Sequence, residues 1–92
     1  MKVTVNANFR IINHFDPPVT FEFDHRVNLK DLLRALNNII PTLKLLEGES
    51  WGDDLMAVKI NEFPLPVFDL NVELRDGDRI YIEIHMEPLG GG

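Results

Sequence analysis

The residues with the clearest chemical potential are the glycines that close the sequence, Gly90, Gly91 and Gly92. Glycine has no Cβ, so a run of glycines can approach the wall of a narrow site closely and take up extended or positive-φ backbone with little strain. Such a segment suits threading into the active site of another protein, with the terminal carboxylate as the reacting group. The plain alternative for three small residues at a chain end is a frayed terminus or a cloning scar.

Other residue types offer no catalytic or metal-binding pattern. Cysteine is absent, which excludes a disulfide, a thiolate zinc site, an iron–sulfur cluster and a cysteine nucleophile. His14, His25 and His85 are too scattered for ligand or catalytic spacing. Asp76-Gly77-Asp78 is typical of a turn, since no second set of acidic ligands follows at calcium-loop spacing. We therefore expect no catalytic side chain, no metal and no bound cofactor.

An acidic loop surrounds Trp51, whose ring we expect to pack over the edge of the core. The loop is composed of Glu47, Glu49, Asp53 and Asp54. A solvated face is the ordinary interpretation of such a cluster, and a docking site for a basic partner is the alternative.

Composition narrows the class of protein further. Ninety-two residues, 45% of them hydrophobic and 26% charged, form one globular domain without an apolar run long enough for a membrane span. The net charge of −6 argues against nucleic acid as a partner, because affinity for phosphates comes from Lys and Arg. The opening "MKVTVNANF" has no secretory pattern. We expect a cytoplasmic protein with protein partners and no contact with membranes.

Periodicity predicts the elements that must position the glycines. Residues 2–9 and 19–24 alternate apolar and polar residues and predict a β-hairpin. Asn28 is a good N-cap for a helix over residues 29–40, and Pro41 ends it. The apolar residues of that helix share one face: Leu29, Leu32, Leu33, Leu36, Ile39 and Ile40.

The second half of the chain predicts more strands. Residues 42–54 look irregular, with a short helical turn near 43–46, and residues 55–60 form a third strand. A turn at 61–64 and an irregular connection at 66–70, with room for a short edge strand, precede the last strand, which begins after the Asp76-Gly77-Asp78 turn. The predicted fold is α+β, a mixed sheet covered on one face by one main helix.

This layout resembles the ubiquitin-like β-grasp fold, and the second half resembles the sulfur-carrier family of the molybdopterin-synthase small subunit (MoaD) and the thiamine sulfur carrier (ThiS). The resemblance rests on "AVKINEFPLP", with an Asn-centred turn at Asn61, and on "LRDGDRIYIEI", with the Asp-Gly-Asp turn into the last strand. A terminal diglycine completes it. The family commonly has a proline-rich stretch before that diglycine, where this chain has "HMEPLG", and it ends on two glycines where this chain has three.

The resemblance implies a β-grasp domain over residues 1–87 and a flexible glycine tail over 88–92. It implies that a separate E1-like activating enzyme uses ATP to adenylate the carboxylate of Gly92. A sulfur donor then displaces AMP and leaves a thiocarboxylate. The sulfur would pass to a biosynthetic acceptor, such as a molybdopterin precursor on the large subunit of molybdopterin synthase, or a thiazole. The chain itself would be no enzyme.

The same resemblance points to the residues that line the partner's channel, namely Glu87, Pro88 and Leu89. From their position after the last strand we add Met86 and Leu89 as partner contacts, and we add Phe63 because alternation is lost around it. The alternatives are a ubiquitin-like interaction module that never uses its terminus and a modifier of other proteins. The sequence leaves open whether Gly92 or Gly91 is the mature terminus.

Overall fold

The structure is a computed structural model and describes residues 1–65 and 69–85. Two sheets and one helix make up this part of the chain. The elements in chain order are β1 (Lys2–Ala7), β2 (Val19–Glu22), α1 (Leu29–Ile39), β3 (Leu46–Glu47), β4 (Ser50–Trp51), β5 (Leu55–Ile60), β6 (Phe63–Pro64) and β7 (Arg79–Ile84). The α+β class predicted from periodicity is therefore confirmed.

The main sheet is mixed and has five strands in the order β2-β1-β7-β5-β6. The first hairpin pairs β1 with β2 antiparallel, and β5 pairs antiparallel with both β6 and β7. The central strand β7 runs parallel to β1, with Val5 opposite Ile80. Because β7 lies between β1 and β5, the last described strand of the chain is also the most enclosed one.

Helix α1 begins with a capping box. The Asn28 side chain accepts a hydrogen bond of 2.9 Å from the backbone N–H of Asp31, and the Asp31 carboxylate accepts one of 3.0 Å from the N–H of Asn28. The helix ends where Ile40 leaves helical geometry at φ −124°, one residue before Pro41. Both ends agree with the sequence prediction to within one residue.

The core lies between the helix and one face of the sheet. Alternate residues of β1 and β7 join the helix leucines in one hydrophobic cluster, as the periods of 2.0 and 3.6 residues require. Fully buried members are Val3, Val5, Leu29, Leu32, Leu33, Leu36, Ile80 and Ile82. One helix position departs from the prediction: Ile39 is 38% exposed, and Ile40 enters the core just beyond the helix.

Two short hairpins lie in segments that the sequence predicted as a helical turn and as a longer turn. The prediction of a helical turn at 43–46 is wrong. In its place β3 and β4 form a separate two-stranded sheet, and Gly48 in the turn between them has a φ of +65°. The turn expected over 61–64 contains only Asn61 and Glu62, both at positive φ as in a type I′ hairpin, and Phe63 already belongs to β6. In the described residues, no helix has the length and apolarity to cross a bilayer.

Candidate functional site

The chain leaves the main sheet at Ile84, the last residue of β7, and this end is fixed by an asparagine. The Asn8 side chain donates a hydrogen bond of 3.1 Å to the carbonyl of Ile84 and accepts one of 3.0 Å from its N–H. The backbone N–H of Asn8 also donates to the carbonyl of Ile82 at 3.2 Å. The side-chain amide of Asn8 thus adds one pair of hydrogen bonds to the β1–β7 ladder, one residue beyond the end of β1.

The residue after the strand is held from the opposite side. The N–H of His85 donates to the carbonyl of Asp54 at 3.0 Å, and the Asp54 carboxylate accepts from the N–H of Lys44 at 2.7 Å. Trp51 donates from Nε1 to the carbonyl of Leu55 at 2.6 Å and packs against the core, as predicted. Asn8 and the loop before β5 therefore fix the backbone of Ile84 and His85, the last two described residues.

The other end of β7 is fixed by a second asparagine. Asn61 forms a backbone hydrogen bond of 2.7 Å to the carbonyl of Arg79, and its side-chain oxygen accepts from the N–H of Arg79 at 2.9 Å. Its amide nitrogen donates to Asp78 at 2.9 Å. The Asn61 turn and the Asp-Gly-Asp turn, which the sequence singled out separately, are thus in direct contact.

The Asp76-Gly77-Asp78 turn is structural, as predicted. Gly77 has a φ of +87°, and its N–H donates to the carbonyl of Lys2 at 2.7 Å. The carboxylate of Asp76 accepts from the N–H of Lys2, and that of Asp78 accepts from the N–H of Arg75. Both carboxylates therefore bond to the backbone of this chain. In the described residues, no group of acidic or histidine side chains could hold a metal ion.

The predicted site residues divide into two sets. Gly90, Gly91 and Gly92 lie outside the described residues, as do the predicted partner contacts Met86, Glu87, Pro88 and Leu89. Phe63 is described and is 75% exposed, in keeping with an apolar contact.

Phe63 lies far from the end of β7 at which the chain leaves the sheet. Phe63 pairs with Ile60 of β5, and Ile60 lies opposite Ile80 of β7, whereas Leu55 lies opposite Ile84. Phe63 is therefore about four residues, or ~13 Å along the strand, from the end at which the chain leaves the sheet.

The acidic loop is paired with the helix of the same chain. Glu49 lies 2.5 Å from the Lys30 Nζ and 3.3 Å from the Arg34 Nη2. The hydrogen bond and charge of Lys30 lower the pKa of the Glu49 carboxyl from its usual value. This arrangement favours the solvated-face interpretation for Glu49, since cations of the chain itself already neutralise its charge.

The histidines remain apart from one another. His14 and His85 are exposed, and His25 lies 2.8 Å from the Asp24 carboxylate on the surface. That hydrogen bond lowers the pKa of Asp24. The arrangement brings no two of these three histidines together.

The face of the sheet opposite the helix carries a shallow concavity of about 570 Å³. Thr4 and Asn6 of β1 and Arg79 and Tyr81 of β7 contribute to its floor. Lys59 of β5 places its ammonium 5.7 Å from the centre of the Tyr81 ring, a cation–π distance. The sequence gives no separate signal for this polar surface, because its residues alternate along the strands with the buried residues that produce the strand periodicity.

Comparison with known proteins adds no assignment: no family model, no curated protein and no solved structure matches the chain.

Proposed function

We propose that the chain is a β-grasp sulfur carrier, activated at a C-terminal glycine carboxylate by a separate ATP-dependent enzyme. In this proposal Gly92 is the terminal residue, and the folded domain presents the tail to the activating enzyme. Adenylation joins the carboxylate to AMP with release of pyrophosphate, and a sulfur donor displaces AMP to give the thiocarboxylate. The domain needs no catalytic side chain for either step.

The observation that carries the proposal is the position of β7. It is the central strand, parallel to β1 on one side and antiparallel to β5 on the other, and it leads directly into the glycine-ended segment. The parallel pair of β1 and β7 within the sheet, with one helix over a face, is compatible with a β-grasp and supports the proposal. The strand that presents the tail is thus the one with most support from its neighbours.

The two asparagine contacts add further support. Asn8 and Asn61 hold the two ends of β7 through their side-chain amides. A carrier whose terminus must enter a catalytic channel benefits from a fixed origin for that segment, because reacting atoms tolerate only small misplacement. The junction of the Asn61 turn with Asp78 also brings together the two motifs on which the family resemblance rests.

Intact mass spectrometry of the protein purified from its own host tests the proposal. A thiocarboxylate replaces one oxygen by sulfur, and the expected result is a fraction of the chain with that mass increase, located to the terminal glycine by fragmentation. Treatment with an alkylating reagent should shift only this fraction, because the chain has no cysteine. A terminus that continues beyond Gly92 in the mature protein, or a carboxylate never modified, would contradict it.

The second candidate is an interaction module that binds partners through the open sheet face. The concavity around Lys59 and Tyr81 is the observation that favours it. In that case Tyr81→Ala would abolish partner binding, and removal of the terminal glycines would leave it unchanged. The two functions are separated by which of these changes matters.

A further inference from the structure

Strand β2 forms one edge of the main sheet, and half of its backbone groups point away from that sheet. The N–H of Phe23 donates to the carbonyl of Met1 at 2.9 Å, and the amino group of Met1 donates to the carbonyl of Phe23 at 3.0 Å. Hydrogen-bonded and non-hydrogen-bonded pairs alternate along an antiparallel ladder, so Phe21 also bonds to β1. The N–H and carbonyl groups of Thr20 and Glu22 therefore point outward from the edge.

The hydrogen bonds of β1 support this orientation. Thr4 lies opposite Thr20, and its N–H donates in the other direction, to the carbonyl of Asp78 at 3.0 Å. Lys2 lies opposite Glu22, and its carbonyl accepts a hydrogen bond of 2.7 Å from the turn before β7. Among the strands of the described residues, none lies beyond β2. The backbone groups of Thr20 and Glu22 are thus positioned to pair with a further strand.

The two edges of the sheet differ in how well they can accept such a strand. At the other edge β6 has two residues, and one of them is Pro64, which has no N–H. Strand β2 has four residues and contains neither proline nor lysine. On its core side Phe21 is half-buried, and its ring lies 6.4 Å from the Phe23 ring and within 11° of parallel to it. A strand added at β2 gains backbone hydrogen bonds and covers aromatic surface at the same time.

We propose that this edge pairs with β2 of a second copy of the chain, antiparallel and about a two-fold axis at Phe21. Thr20 then lies opposite Glu22 of the second copy, and the outward backbone groups of both strands are satisfied. Phe21 lies opposite its own equivalent in a non-hydrogen-bonded pair, the closer of the two kinds, where aromatic side chains contact. The two five-stranded sheets become one continuous sheet.

Charge and proline select this register over its neighbours. A shift of two residues in one direction places Glu22 opposite Glu22, and like charges directly opposite are destabilising. The same shift in the other direction places Glu22 opposite Pro18, which has no N–H to donate. In the proposed register each exposed row runs from Lys2 and Glu22 to Thr20 and Thr4 of the second copy, so no like charges meet. The strand is thus complementary to itself, which identifies a second copy as the partner.

The proposed pairing is independent of the carrier function, because β1 separates β2 from β7. The test measures the dissociation constant of the full chain by sedimentation over a concentration series. The variants are Thr20→Glu, Thr20→Lys and the double variant Thr20→Glu with Glu22→Gln. Thr42→Glu is the matched control, since it adds the same charge at another exposed threonine, beyond the end of α1. Amide hydrogen exchange at Thr20 and Glu22 reports directly on the edge, and circular dichroism verifies the fold of every variant.

Wild type should dimerise as its concentration rises, and exchange at the amides of Thr20 and Glu22 should slow in parallel. Thr20→Glu should raise the dissociation constant about tenfold, because the introduced charge faces Glu22 in both symmetric rows. Thr20→Lys should lower it, the double variant should restore most of the wild-type value, and Thr42→Glu should resemble wild type.

Three results would overturn the inference. A wild type that stays monomeric at every concentration would leave the β2 edge to a strand of another protein. A dimer whose Thr20 and Glu22 amides still exchange rapidly would place the contact elsewhere on the chain. Equal weakening by Thr20→Glu and Thr20→Lys, or by Thr20→Glu and Thr42→Glu, would exclude the proposed register.

Discussion

The Asn61 side chain donates a hydrogen bond of 2.9 Å to the carboxylate of Asp78, which joins the β5–β6 turn to the turn that precedes β7. The same side chain accepts from the N–H of Arg79, and Asp78 accepts from the N–H of Arg75. Two turns that are 17 residues apart in sequence thereby support each other. We therefore expect the start of β7 to be stabilised by this contact.

Replacement of Asn61 by glycine should lower the free energy of unfolding by about 1–2 kcal/mol. Glycine tolerates the φ of 52°, so the change removes two side-chain hydrogen bonds without adding backbone strain. Urea denaturation followed by circular dichroism measures the effect. Glu62→Gly is the matched control, because Glu62 has a φ of 73° and glycine relieves its strain; we expect a gain of about 0.5 kcal/mol there. Equal losses at both positions would contradict a specific role for the Asn61 amide.

The capping box at the start of α1 supplies a second prediction. Asn28→Ala should destabilise the domain by about 1 kcal/mol, because it leaves the N–H of Asp31 without its acceptor. Asn28→Ser should restore most of that loss. Asn38→Ala provides the control on the same helix: Asn38 is exposed, and alanine has the higher helix propensity, so stability should stay the same or rise. Thermal unfolding of the three variants gives the comparison.

Gly52 and Gly48 provide a matched pair of glycine-to-alanine substitutions. A Cβ on Gly52 would lie 2.0 Å from the carbonyl oxygen of Lys44, whereas a Cβ on Gly48 would meet nothing within 4 Å. Gly48→Ala should therefore cost about 1–2 kcal/mol from its φ of +65° alone. Gly52→Ala must displace backbone in a close-packed interior and should cost considerably more. Comparable unfolding midpoints for the two variants would argue against this close approach of Gly52 to Lys44.

Much of this fold follows from local sequence patterns. The leucines at helical spacing after Asn28 predict α1 and its N-cap, and alternation of apolar and polar residues predicts β1, β2 and β7, because one face of each element must be buried. The β3–β4 hairpin carries no such signal. Its strands have two residues each, too few for a period to show, and its turn depends on the positive φ of Gly48.

The contacts of the candidate site could not be predicted from the sequence to the same extent. Asn8 and Ile84 are 76 residues apart, and an asparagine at the end of an alternating run looks like any strand terminus. Asn61 was identified as a turn residue, but its contact with Asp78 depends on the register of β5 and β7. The long-range pairing of strands brings these residues into contact, and local periodicity does not reveal that pairing.

The contact between Lys30 and Glu49 predicts a dependence of stability on pH. Since folding lowers the pKa of Glu49 from 4.5, its contribution is present above that value and is lost as the pH falls through the folded pKa. Glu49→Gln should therefore be less stable than wild type at pH 7, and the difference should vanish in acid. High salt should reduce the difference at pH 7, because the Glu49 carboxylate is exposed to solvent. A difference that persists unchanged below the folded pKa would assign the effect to packing.

The proposed chemistry at the terminus gives the last prediction. If the carboxylate of Gly92 is the group that becomes adenylated, then deletion of Gly91 and Gly92, or addition of one residue after Gly92, should abolish ATP–pyrophosphate exchange with the activating enzyme. Thermal stability should change little, because glycine has no side chain to bury. One residue alters the reach of an extended segment by ~3.3–3.6 Å, far more than adenylation tolerates, so deletion of Gly92 alone identifies the reactive residue. Loss of activity in both deletions assigns it to Gly92, and loss only in the double deletion assigns it to Gly91. Full activity in both deletions would reject the carrier function and favour the interaction module.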